Sequence, residues 1–283
     1  MTNYIMKTVQ ADGSSHGGFV WPLEVGAKVV APDWDPTPEC GGGLHGLLNG
    51  CGNGRLLNWA SSAVWVVAKV PKSAQIVDLD GKVKVDRCEI IHVGDQVSAT
   101  SFLQERGCNG PIVGATVVVG HYGTATAGDY GAATVGDSGT ATAGNSGTAI
   151  AGNFGTATAG NRGTATAGDG GTATVGYYGT AIAGDSGTAT AGNSGTAIAG
   201  YRGTATAGDY GTATAGYSGT ATAGDYGAAT AGDYGAAIAG YRGTIHICWW
   251  DGMRYRTAVG YVGEDGIEPN VAYIVKDGKL VKK

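Results

Sequence analysis

Charge is scarce in this chain. Only 14% of its 283 residues are Asp, Glu, Lys or Arg, against about 25% in an ordinary globular domain. The balance that remains is acidic, net −5. Nucleic acid and anionic membrane both call for a basic footprint, so neither is expected as a partner. Long apolar runs are missing too: no segment approaches the roughly 20 apolar residues that span a bilayer. The first thirty residues hold no basic stretch leading into an unbroken apolar run, so no secretory signal is expected. Cysteine is sparse, and Cys40, Cys51, Cys88, Cys108 and Cys248 are odd in number and scattered. That suits reduced thiols better than a disulfide framework, and a cytoplasmic or virion-associated location is the expectation. Neither H-E-x-x-H nor a phosphate-binding loop occurs, and the absence of a G-X-Y triplet excludes collagen.

Glycine, by contrast, is abundant, at 54 of 283 residues, where about 7% is usual. Residues 123 to 242 form fifteen octads of the pattern G-[TA]-A-[TI]-[AV]-G-x-x. A short fixed period signals one structural unit stacked on copies of itself. Three segments follow: an N-terminal globular domain over 1–114, the repeat with its capping coils over 115–250, and a C-terminal cap or hairpin over 251–283.

Within an octad, "TATA" has the two-residue period of a strand, and "G-x-x-G" reads as a turn. Glycine, and Asp or Asn at octad position seven (Asp129, Asn145, Asp185), are expected to supply the positive φ that such a turn needs. Near-identical octads favour like stacked on like, hence a β-solenoid rather than a hairpin meander. The alternation of octads sets the coil. The octads starting at Gly123, Gly139, Gly155, Gly171, Gly187, Gly203 and Gly219 all keep threonine at both strand positions. Five of the seven interleaved octads depart, through Ala132, Ile150, Ile182, Ile198 and Ala228. A sixteen-residue coil of two octads explains this, and an eight-residue unit does not. The expected fold is all-β dominated: a flattened β-solenoid of about eight sixteen-residue coils, a small mixed or mostly-β N-terminal domain and a short β cap.

The third octad position is alanine throughout, as a tightly packed interior requires. At the flanks the inward positions enlarge to Val117, Val119, Ile245 and Ile247, as in capping coils. The threonines then face outward; the reverse, with threonines bonded to backbone inside, is the alternative. Outward threonines form two files: Thr124, Thr140, Thr156, Thr172, Thr188, Thr204 and Thr220, beside Thr126, Thr142, Thr158, Thr174, Thr190, Thr206 and Thr222. They would be spaced roughly 6.6–6.8 Å along a strand and 4.7–4.9 Å between rungs.

"AGYRGTATAG" (199–208) and "AGYSGTATAG" (215–224) resemble the sixteen-residue repeats of bacterial ice nucleation proteins, which carry AGYGSTxTAG. The resemblance covers the repeat and its paired threonines. It implies a β-solenoid whose threonine rows order water. Here both halves of the coil are nearly alike and the array is far shorter than that family's. The ends, through "GFVWPLEVGAKV", "CGGGLHG" and "RTAVGYVGEDGIEPN", are similar to bacterial and phage proteins in which a small N-terminal domain precedes glycine-rich octads; that likeness implies no activity.

Candidate chemistry lies in the N-terminal domain. His45 and Glu39 are candidates for a catalytic pair, set against a glycine-rich turn entering a short helix at "LHGLLNG". Cys40, His45, Cys51, Cys88 and His92 are potential zinc ligands without the tight pair spacing of zinc sites, so buried thiols and structural histidines are expected and no cofactor. The octads lack the calcium-binding nonapeptide. Strands are expected at 63–70, 74–79 and 82–93, and around the "KDGK" turn. Tyr130, Tyr178, Tyr210 and Tyr226 fall along one edge, as a homodimer seam or as tyrosines stacking on themselves. The preferred function is a non-enzymatic scaffold that engages ordered water or ice. The alternatives are an enzyme or toxin-like module displayed on a rod, and an acidic solenoid mimicking DNA.

Overall fold

The computed structural model describes residues 2–283. The described residues divide into two compact units: residues 2–116 with 127–131, and residues 117–126 with 132–283.

The first unit is built on a seven-stranded sheet. Its strands are β1 (Asn3–Val9), β2 (Lys28–Val30), β3 (Leu44–Leu48), β4 (Val64–Val70), β5 (Ile76–Asp78), β6 (Val83–Val85) and β7 (Arg87–Gly94), in the order β2-β7-β4-β1-β3-β6-β5. All of its described strand pairs are antiparallel. Successive side chains leave a strand on opposite faces, yet Ile5 and Met6 on β1 are both buried, because both faces are covered. Ile5, Trp21, Val66, Val85 and Ile90 pack on one side. On the other, Met6, Leu47, Val67 and Ile112 pack against Ala99 and Leu103 of the helix α1 (Gln96–Glu105). That helix starts at a reciprocal cap between Asp95 and Ser98. "LHGLLNG" is not the short helix expected. It is β3, paired with β1 and β6. Gly46 decides this: a Cβ there would sit 2.9 Å from Ile5 Cβ, so the glycine admits a backbone approach that only the sheet needs.

The second unit is a β-solenoid of about eight coils of roughly sixteen residues. Each octad contributes one short strand, and alternate octads go to opposite sheets. Eight parallel strands, from Thr124–Thr126 to Ala236–Ala239, form one sheet, and those from Ala132–Val135 to Thr244–Trp250 form the other. The register never slips: Thr140 pairs with Thr156, Thr156 with Thr172 and Thr172 with Thr188. The third- and fifth-position alanines fill the interior and are buried throughout. Val117 and Val119 at one end are half-buried, whereas Ile245 and Ile247 at the other are fully buried.

The corners differ from expectation. Positive φ falls on position eight, at Tyr130, Ser138, Ser146, Phe154, Arg162 and their non-glycine equivalents at 53–58°, and at Gly170 at 65°. It falls neither on the Asp or Asn of position seven nor on the two octad glycines. The reason is the inter-coil bonding. Most position-eight amides donate to the position-seven carbonyl of the next coil, as in Ser138 to Asn153 and Tyr210 to Asp225, both 2.8 Å, whereas that of Tyr234 donates to Oδ1 of Asp233. The position-seven side chains do a different job. Oδ1 of Asp137 accepts the amide of Asn153 at 2.8 Å, Asn153 that of Asp169 at 3.0 Å, and Asp169 that of Asp185 at 2.9 Å. The octad glycines provide room: a Cβ on Gly203 would meet Ala199 Cβ at 2.7 Å and the Gly187 carbonyl at 3.0 Å.

Beyond the last octads the chain turns antiparallel. Thr244–Trp250 pairs with Tyr255–Tyr261, and the hairpin Tyr273–Lys276/Lys279–Lys282 joins the other sheet through Ala237 and Tyr273. Asp277 and Gly278, both at positive φ, make the expected tight turn.

Candidate functional surface

The inward alanines force the neighbouring threonines outward, since a strand alternates faces. Thr124, Thr140, Thr156, Thr188 and Thr204 are exposed, and Thr172 and Thr220 are half-exposed. The fourth-position file Thr126, Thr142, Thr158, Thr174, Thr190, Thr206 and Thr222 is half-buried beside it. Both files run in register, Thr on Thr, from Thr124 and Thr126 to Thr220 and Thr222. Ala236 and Ile238 end them. With rungs about 4.8 Å apart and alternate residues about 6.7 Å apart, the sheet carries a two-column lattice of hydroxyls and methyls without a formal charge. β-Branching limits the χ1 freedom of each threonine. The opposite sheet breaks this pattern, with Ile150 and Ile198 at 41% and 38% exposure.

The corner tyrosines do not form one uniform file. Tyr130 lies against Trp59, with ring centroids 4.3 Å apart. The Arg162 guanidinium sits 5.9 Å over the Tyr178 ring. Tyr210 and Tyr226 stack at 5.0 Å and 3°. On the other corner, Tyr201 and Tyr217 stack at 5.5 Å and 10°.

The repeat resembles those of ice nucleation proteins. The chain is 35% identical over 104 residues to an ice nucleation protein of Pseudomonas syringae, a stretch covering 36% of this chain and 9% of that protein. It is 35% identical over 100 residues to ice nucleation protein InaU of Pantoea ananas, covering 35% and 10%, and to an ice nucleation protein of Enterobacter agglomerans, covering 35% and 8%. The chain thus spans about a tenth of the length of these curated relatives. No family model and no solved structure matches it. Among the described residues no helix is long and apolar enough to cross a membrane.

The N-terminal candidates are dispersed. Cys88 is a core residue whose thiol burial pushes up to about 12. Cys51 lies near Cys108, and burial raises both thiols, with Cys108 adding to the effect on Cys51. His92 contacts Ser98 Oγ at 3.1 Å and the Phe102 ring; burial, then Arg106, lowers its pKa, against Asp95. Cys40 and His45 line a common cleft, but among the described residues no three His, Cys, Asp or Glu side chains gather as a metal site. Glu39 is exposed and contributes its main-chain carbonyl to Lys84. Sequence reasoning passed over the lysines around His45, namely Lys7, Lys82 and Lys84. The alternation in "GKVKV", which puts Lys82 and Lys84 on one face of an extended chain, was the available signal.

Proposed function

We propose that this chain is a non-enzymatic repeat protein whose threonine sheet orders water and binds ice. The observation that carries the reading is the register: two columns of seven threonines, paired like on like from coil to coil. A surface fixed in advance loses little conformational freedom when a partner adopts its pattern, and a lattice of water is a partner of that kind. The hydroxyls supply hydrogen bonds at repeating positions, and the methyls between them disfavour a disordered hydration layer. The ice nucleation proteins matched above supply the second support. The short array argues for modest activity, such as ice shaping or thermal hysteresis, rather than nucleation near the melting point.

The test is the triple variant Thr156→Lys, Thr172→Lys, Thr188→Lys, beside Thr148→Lys, Thr164→Lys, Thr180→Lys on the opposite sheet. Thermal hysteresis, ice-crystal habit and droplet freezing temperature are the readouts. Loss of activity in the first triple and retention in the second supports the reading. Activity in the wild type that survives the first triple, or a wild type with none, overturns it.

A further inference from the structure

A cleft of about 900 Å³ opens on the N-terminal unit between β1, β3, the 40–43 loop and the 16–18 loop. That volume suits a small-molecule site. Part of its wall is apolar, with Phe19, Leu44, Leu56 and Leu57. Its charge is what sets it apart. Lys7 and Lys82 line it, with Asp33 as the acidic side chain among the lining residues. Lys84, 1% exposed, stands behind the loop and donates to the carbonyls of Glu39 and Gly41, both at 2.9 Å. Those carbonyls take up two of its three protons without neutralising its charge. Lys7 lies over the Trp21 ring at 5.3 Å, and Lys82 Nζ is 3.1 Å from Cys40 Sγ. Among the described residues, none of the three lysines pairs with a carboxylate at ion-pair distance.

An acidic chain therefore collects three ammonium groups around one cavity, against their mutual repulsion. The strain is legible in the pKa values. Burial, with Lys82 adding, lowers Lys7 to about 8. Burial, then Lys82, Lys7 and Lys84, lowers His45 to about 4 against the opposing pull of Asp33. His45 is consequently neutral, and its Nε2 is buried without a hydrogen-bond partner. We propose that this cleft binds a small organic phosphate monoester, held by the ammonium groups of Lys7 and Lys82. The charge and valence fit: a phosphate monoester carries about −1.5 to −2 at neutral pH and offers three strong acceptor oxygens. A carboxylate carries about half that charge. The apolar wall takes the organic group, so inorganic phosphate alone binds more weakly than its ester.

The experiment is calorimetric titration of the full chain with phenyl phosphate, inorganic phosphate and benzoate. Phenyl phosphate should bind best, and Lys7→Gln and Lys82→Gln should each weaken it about tenfold or more, as removal of a charged partner does. Lys28→Gln, on exposed β2, should leave binding unchanged. A second readout needs no variant. Cys40 is exposed beside Lys82, so phenyl phosphate should slow its alkylation by iodoacetamide in the wild-type protein. Absence of binding, benzoate binding as tightly as phenyl phosphate, equal losses in all three lysine variants, or alkylation of Cys40 at an unchanged rate overturns the proposal. None of these readouts involves ice, so the two functional claims fail independently.

Discussion

Two carbons, the difference between alanine and valine, separate the tolerant from the intolerant interior positions of the solenoid. The third octad position is alanine in every octad, whereas the fifth already accepts Val135 and Val175, both still buried. Ala205 and Ala207 represent the two positions within the strand Thr204–Ala207. Ala205→Val should cost about 1–3 kcal/mol through overpacking, while Ala207→Val should change stability by much less. Chemical denaturation of the two variants measures the difference. Inward alanine and outward threonine were both readable from the sequence, because identity at one position against variation at the next is a direct trace of packing. The left-handed corners were not. Tyr, Ser, Phe and Arg at position eight are not residues that prefer positive φ. What holds them there is a hydrogen bond to a carbonyl fifteen residues away in the next coil, a constraint that no local propensity encodes.

At the level of elements, each corner is a ladder as much as a turn. Asn193 Oδ1 accepts the Asp209 amide at 3.2 Å, Asp209 the Asp225 amide at 3.0 Å, and Asp225 the Tyr241 amide at 2.7 Å. Tyr177 interrupts this corner after accepting no such role, although its own amide still bonds to Asn161 at 2.8 Å. On the opposite corner, His121 Nδ1 starts the ladder in place of an aspartate and accepts the Asp137 amide at 3.0 Å. Two consecutive aspartates place like charges about one rung, ~4.8 Å, apart. Asp225→Asn keeps the acceptor and removes the repulsion, so it should be neutral or stabilising at low salt, with the gain fading as salt screens the pair. Asp225→Ala loses the acceptor and should cost about 0.5–1.5 kcal/mol. Thermal melts at two ionic strengths separate the two effects. In the N-terminal unit, the strands over 64–70 and 76–78 follow the expected runs, whereas the run expected as one strand over 82–93 breaks at Asp86 into β6 and β7, which are not neighbours in the sheet. β3 escaped because the spacing of Leu44, Leu47 and Leu48 also suits a helix, and only the close pass of Gly46 over Ile5 rejects it. The cleft escaped for a related reason: Lys7, His45 and Lys82 come from three separate strands or turns, and sheet order rather than sequence spacing unites them.

Across the whole repeat, sixteen residues is the unit that conserves the face. Removal of residues 171–186 takes out one full coil and leaves every downstream octad on its own sheet, by the registers that join each strand to the one sixteen residues on. Removal of residues 171–178 alone shifts all later octads to the opposite sheet. That carries Ile182 and Ile198 into the threonine columns. Both proteins should fold, because each rung rests mainly on its neighbours. The full-coil deletion should retain most of any ice-shaping activity and the half-coil deletion should lose it, as ice-crystal habit will show. The closing hairpins bear on a different property. A stack of identical parallel rungs has no intrinsic last member, and a bare final rung is a template for the first rung of another molecule. Here the antiparallel strands Tyr255–Tyr261 and Tyr273–Lys282 break that symmetry, and Lys276, Lys279 and Lys282 set positive charge on the outermost hairpin. The same repetition that builds the lattice is also a template for a fibre, and a paired, lysine-bearing edge of this kind disfavours such growth at that end.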